Sequence, residues 1–321
     1  MSVVVFCRAK AGGCVTATAL AVTACWPDPG PVTVVEADAS GGSLAARAGL
    51  EAGPGLVEWA AMAGSPRPAG ELLDQVSRPF PGTSVAVVTG PVDGAEQPQD
   101  SAATAYPAAG GARLAGGAAA RARAAVTALA CEPRLLEAGD DRAVLLDAGQ
   151  VSAAAPAWPL LARADGVLVC APPSLDGLAA AFGLAREIQA APGCTAEVAL
   201  VAIGDGPYSP QEITAAAPAA LWGVLPHDPH AADLLGSGRG LAARTRLARA
   251  ATVLAARCAK RASASPFPAP GPARDATADA QPSRLVRRAP GRRWTRHDGV
   301  TEPPAHLALF DRSRMLPHAT D

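Results

Sequence analysis

Short apolar runs rich in β-branched residues alternate along residues 1–262 with alanine-rich stretches of helical length. The runs at 3–7, 32–36, 84–89, 143–147, 166–170, 197–203 and 221–225 predict strands. Several show no polar alternation, as strands covered on both faces of a parallel sheet should. The stretches 16–25, 112–129, 153–161, 175–190, 211–217 and 241–262 predict helices. This alternation predicts a doubly wound α/β fold with a mostly parallel sheet and ligands at the carboxyl ends of its strands. Residues 91–113 are turn-rich and read as a long surface connection. From residue 263 the periodicity stops and Pro, Ala and Arg take over, which predicts a domain over 1–262 and a disordered tail over 263–321.

Composition changes this picture little. The 28 Lys and Arg residues nearly balance 29 Asp and Glu, so no global field draws a charged partner. Mean hydropathy is +0.16, which reflects alanine at surface positions. No stretch of about 18 residues lacks Pro, Gly or charge, so no spanning helix is predicted. No charged region precedes the first apolar run, which argues against a signal peptide. Seven scattered cysteines without a CxxC pair read as free thiols, mostly buried, with Cys14 in a loop as the exception. These features together predict a cytoplasmic protein.

The candidate chemistry sits in the first turn. After the run SVVVFC come Arg8, Ala9, Lys10, Ala11, Gly12, Gly13, Cys14, Val15, Thr16 and Ala17, and then an apolar helical pattern. Strand, glycine-containing turn and helix are the layout of a phosphate-binding loop, in which backbone N–H groups and a helix N-terminus surround phosphate oxygens. Such a loop places a lysine on the β- and γ-phosphates and, next to it, a Ser or Thr on Mg²⁺. Thr16 suits both the Mg²⁺ ligand and the helix N-cap, and Gly12 and Gly13 suit part of the nest. Val15 stands where the lysine belongs. Cys14 stands where a glycine is expected, and a β-carbon at positive φ would be unfavourable there. Lys10 is the only lysine in the turn, and the chain has just one other.

The register resembles the deviant phosphate loop of the MinD/ParA ATPases, KGGxGK followed by two Ser/Thr. Lys10 falls on that family's signature lysine, Ala11 and Gly12 on its first glycines, and Thr16 on its Mg²⁺-binding hydroxyl. Further segments resemble the family in order along 1–262. Glu36 and Asp38 fall on its DxD segment, and Asp147 on the acidic end of its Walker B strand. Asp165 to Val169 with Pro173 resemble the strand segment that follows. Pro226 and Asp228 resemble the late turn that borders the base. A closer likeness is to an actinobacterial branch whose loop, often GSPGVTTT, also lacks the lysine.

The resemblance implies ATP and Mg²⁺ as cofactors. Nucleotide would meet Lys10, Ala11, Gly12, Gly13, Cys14, Val15, Thr16, Ala17 and Pro226, and Mg²⁺ would meet Thr16 and Asp147. Asp38 would help activate the attacking water, and Lys10 would reach across a nucleotide-dependent homodimer. Each residue also has a plainer reading: Asp38 and Asp147 as turn or cap residues, and Lys10 as an exposed loop lysine. His227 and His230 lack ligand partners at metal spacing and read as loop residues. Trp26, Trp59, Trp158 and Trp222 read as packing residues.

Two functions remain open on the sequence. One is a degenerate-loop pseudo-ATPase or nucleotide-responsive scaffold that positions an unidentified protein partner. The other is a slow, dimerising Mg·ATP hydrolase in chromosome partitioning or in positioning cell-surface machinery. Arg244, Arg246, Arg249, Arg257, Lys260 and Arg261 on the last helix, and the arginines at 284–296, offer contact with DNA or anionic membrane. The location expected is the cytoplasm, peripheral at membrane or nucleoid.

Overall fold

Seven parallel strands and one short antiparallel one form a single sheet in a computed structural model that describes residues 2–10, 14–27, 31–51, 53–93, 117–136 and 142–264. The strands are β1 (Ser2–Arg8), β2 (Val32–Glu36), β3 (Arg78–Pro79), β4 (Ala86–Val88), β5 (Ala143–Gln150), β6 (Gly166–Ala171), β7 (Glu197–Ile203) and β8 (Ala220–Leu225). Their order across the sheet is β3-β4-β2-β5-β1-β6-β7-β8. Only the two-residue β3 runs antiparallel, against β4. The doubly wound architecture expected from the alternation of runs is therefore present.

Alternation along each strand divides the core between the two faces of the sheet. Val3, Val5 and Cys7 of β1 pack on one face, with Val167 and Val169 of β6. Val4 and Phe6 pack on the other, with Leu145, Leu168 and Cys170. The first face is covered by α3 (Leu56–Ala61), α4 (Ala69–Val76), α5 (Ala118–Cys131), α6 (Trp158–Arg163), α7 (Leu175–Gln189) and α8 (Pro210–Ala216). The second is covered by α1 (Val15–Ala24), α2 (Leu44–Ala48), α9 (Pro229–Gly236) and α10 (Arg246–Ala264). Burial on both faces explains why these strands read as unbroken apolar runs. Trp59 is fully buried and Trp222 nearly so, as packing residues should be.

Several helix starts differ from the sequence expectation. The helix expected at 153–161 begins at Trp158, after a turn. The one expected at 241–262 begins at Arg246, where the Thr245 hydroxyl accepts the Ala248 N–H at 3.1 Å. The helix α1 begins at Val15 with Cys14 as its N-cap, so Thr16 is not the cap. Residues 94–113 of the expected surface connection, residues 112–116 of a predicted helix, and the tail beyond Ala264 lie outside the described residues. Among the described residues no helix is long and apolar enough to cross a membrane.

Topology locates the candidate site. From β1 the chain winds through α1 towards β2, whereas β5 connects across β1 to β6 and the winding then continues the other way. The carboxyl ends of β2, β5, β1 and β6 thus lie side by side where the winding reverses, the usual position of a ligand crevice.

Candidate functional site

Register sets the acidic side of the site. Glu36 ends β2 directly opposite Asp147 of β5, and Phe6 of β1 lies opposite Asp147 on the other side. Asp147 is fully buried and Glu36 nearly so. The Thr16 hydroxyl donates a short hydrogen bond to Asp147 Oδ2, and the Gly149 N–H donates to Asp147 Oδ1 at 3.0 Å. Burial pushes the Asp147 carboxyl up to about 7. The two hydrogen bonds pull it back, and the charges of Glu36 and Asp38 push it further up.

Glu36 acts as a clamp. Its Oε1 accepts the N–H of Ser43 at 2.6 Å and of Leu44 at 3.1 Å, and its Oε2 accepts the N–H of Gly90 at 2.9 Å. One buried carboxylate thereby ties the start of α2 to the turn after β4. Burial raises its affinity for a proton, and these same bonds oppose that rise. The fit is close: a β-carbon on Gly42 would lie 2.5 Å from Gly90 O and 2.6 Å from Glu36 Oε2.

Between Glu36 and α2 the chain bows past Asp38. The Asp38 Oδ1 accepts the Ser40 N–H at 2.8 Å, and the Ala37 N–H donates to Asp147 O at 2.8 Å. Asp38 Oδ2 lies against Gly149, whose φ of +60° suits glycine and whose missing side chain leaves room for that carboxylate. Asp38, Asp147 and Thr16 are therefore brought together at the ends of β2 and β5 and the start of α1.

The loop side is built differently. Cys14 is exposed, with φ −79°, so its β-carbon meets no left-handed strain, contrary to the sequence expectation. Val15 is 3% exposed and belongs to the buried apolar cluster on the α1 face of the sheet. Thr16 and Ala17 are half-buried in the first turn of α1. Ala11, Gly12 and Gly13 lie outside the described residues. Lys10 Nζ reaches Asp176 Oδ2, in the first turn of α7, at 3.1 Å; both side chains are largely exposed. Asp176 carried no sequence signal of its own, because its meeting with Lys10 depends on β1 and β6 being neighbours.

Pro226 follows β8 and is half-buried. Asp228 caps α9, accepting the Ala231 N–H at 2.9 Å. His227 and His230 are exposed. Among the described residues no group of three or more His, Cys, Asp or Glu could hold a metal ion. The Thr16 hydroxyl and the Asp147 carboxylate are nonetheless hard oxygen donors of the kind Mg²⁺ uses beside waters and phosphates.

Neither a family model nor a curated protein matches the sequence. Solved structures do match this arrangement of strands and helices. The Pyrococcus furiosus cell division ATPase MinD superposes with a TM-score of 0.57 at 17% identity, over 81% of this chain and 99% of that one. A ParA family ATPase from Chlorobium tepidum TLS gives 0.54 at 16% identity, over 79% and 98%. The septum site-determining protein MinD of Pyrococcus horikoshii OT3, complexed with Mg-ADP, gives 0.56 at 17%, over 80% and 95%. The fold is that of the MinD and ParA ATPases.

On this fold the basic residues at 244–261 divide into two groups. Arg257 donates to the carbonyl oxygens of Leu221 and Trp222, and Arg261 donates to Asp165 O at 3.1 Å and pairs with Glu197 at 3.1 Å. These two fasten α10 to the sheet. Arg244, Arg246, Arg249 and Lys260 are exposed.

Proposed function

We propose that this chain is a scaffold or positioning factor with the MinD/ParA fold, a pseudo-ATPase that responds to nucleotide weakly if it binds it. The observation that carries this reading is the burial of Val15. The residue in the lysine position of a phosphate loop is spent on the core. Phosphoryl transfer rests on positioning and charge neutralisation, and losing one positioned donor at a developing anion costs about 3–4 kcal/mol in comparable sites. The engagement of Lys10 with Asp176 adds support, since it occupies the one lysine left in the turn.

The acidic half supports the converse reading of a slow, dimerising ATPase. Thr16 and Asp147 would hold Mg²⁺, which would bridge and neutralise phosphate oxygens, and Asp38 would face the attacking water. Pro226 would border the base. We favour the scaffold because the acidic half can hold a metal only alongside phosphates that the loop must first bind.

In this reading a homodimer and an unidentified protein partner remain the expected assemblies, in the cytoplasm or at the membrane or nucleoid surface. Arg244, Arg246, Arg249 and Lys260, with the basic segments of the 263–321 tail, would supply any contact with DNA or anionic lipid. Titration with a fluorescent ATP analogue in Mg²⁺ tests the proposal. The scaffold reading expects a dissociation constant of about 0.1 mM or weaker. Micromolar binding that is lost in Lys10→Ala and Thr16→Ala would overturn it.

A further inference from the structure

The pair formed by Lys10 and Asp176 joins the loop after β1 to the first turn of α7, which follows the adjacent strand β6, where the winding reverses. Asp176 is not needed to build the fold. Its side chain is 79% exposed, and the start of α7 is capped by Ser174, whose hydroxyl accepts the Gly177 N–H at 3.3 Å. A carboxylate in the first turn of a helix is favoured by the helix dipole, so Asp176 holds a stable negative charge at the mouth of the crevice. With Val15 buried, Lys10 is the lysine left in this turn to meet an incoming anion. Asp176 already engages it.

We propose that Asp176 is a selectivity residue of this crevice: by holding Lys10 across the mouth it disfavours polyphosphates according to their charge. The inference rests on the weak-nucleotide reading above and deepens it. A triphosphate must draw Lys10 away from Asp176 before Lys10 can meet it, so the ion pair acts on affinity only through Lys10. A monophosphate carries less charge and gains less from Lys10. An exposed ion pair is worth up to about 1 kcal/mol, so its release corresponds to about three- to fivefold in affinity.

Equilibrium dialysis of the full chain against Mg·ATP, Mg·ADP and AMP tests this, using the wild type, Asp176→Asn, Lys10→Ala and the double variant. Thermal unfolding serves as the check that all four are folded. The expected result is that Asp176→Asn binds Mg·ATP about three- to fivefold tighter than wild type, with a smaller gain for Mg·ADP and none for AMP. That gain disappears in the Lys10→Ala background. Equal affinity in wild type and Asp176→Asn overturns the proposal, as does a gain that survives Lys10→Ala or is the same for AMP. Absence of binding by any variant at millimolar Mg·ATP also overturns it while leaving the scaffold reading standing. Micromolar binding with turnover by the wild type removes the scaffold reading, and the ratio between variants still decides the role of Asp176.

Discussion

The two halves of the carboxyl rim are held by opposite means. On the acidic half, around β2 and β5, polar side chains are buried or half-buried and bonded to one another and to backbone: Glu36 to three amides, Asp147 to Thr16 and Gly149, Asp38 to Ser40. On the loop half, at Lys10, Cys14 and Val15, the first two side chains are exposed and the buried one is apolar. Lys10 lies in an exposed ion pair, Cys14 makes no cap bond, and Val15 is in the core. Buried polar groups cost free energy unless every partner is present, so the acidic half holds its geometry at a price in desolvation. In the proposed reading, geometry suited to a metal and a water is kept while the charge that would meet phosphate is not.

Substitutions should expose this asymmetry. The largest effect is expected for Glu36→Ala, which strands the N–H groups of Ser43, Leu44 and Gly90. Each stranded donor costs about 1–3 kcal/mol, so urea unfolding should show a loss of about 3 kcal/mol or more. Next is Gly149→Ala, which combines a left-handed φ with a β-carbon driven into Asp38. A loss of about 2–4 kcal/mol is expected, with the strain relieved in part when Asp38→Ala is added.

The carboxyl of Asp147 gives a smaller, pH-dependent effect. Its folded pKa of about 7 lies above the ordinary value near 4, so between those two pH values the folded state holds a proton that the unfolded state has lost. Stability contributed by this group is present below about pH 4 and falls as pH rises towards 7, by at most about 1.4 kcal/mol per pH unit. Denaturation of Asp147→Asn across pH 4.5–7.5 should show a flatter profile, with its advantage over wild type growing as pH rises. Parallel profiles for the variant and the wild type would mean that Asp147 is ionised throughout. The smallest effect belongs to the loop half: Lys10→Ala should change stability by no more than about 1 kcal/mol, because the pair it breaks is solvent-exposed.

Much of this was legible in sequence, for a physical reason. β2 and β7 coincide with their apolar runs, and Asp38, Asp147 and Thr16 meet as their positions at strand and helix ends implied. A parallel sheet buried on both faces writes itself plainly as unbroken apolar runs. The stretch from 44 to 76 was not legible. Its helices α2, α3 and α4 have five, six and eight residues, separated by Gly and Pro, and α2 starts on amides held by Glu36. Such short helices depend on tertiary partners more than on local pattern. Strand β3 was missed because two residues carry no period. Direction was equally hidden at Val15: α1 is apolar nearly all round, so its sequence does not say which side of the turn faces the core. The expectation that Thr16 caps α1 failed for a related reason, since a cap and the second helical residue differ by a local rotation.

The central claim is that Val15 belongs to the core and that the loop is consequently not a working phosphate site. Replacing it by Val15→Lys, and measuring urea unfolding together with Mg·ATP binding on the same protein, tests this most directly. The account predicts a loss of about 2 kcal/mol or more, because an ammonium must be buried or its helix turn displaced, with a Mg·ATP dissociation constant still about 0.1 mM or weaker. Unchanged stability accompanied by micromolar Mg·ATP binding would contradict it, showing that the lysine position faces the phosphates and that only the charge had been lost.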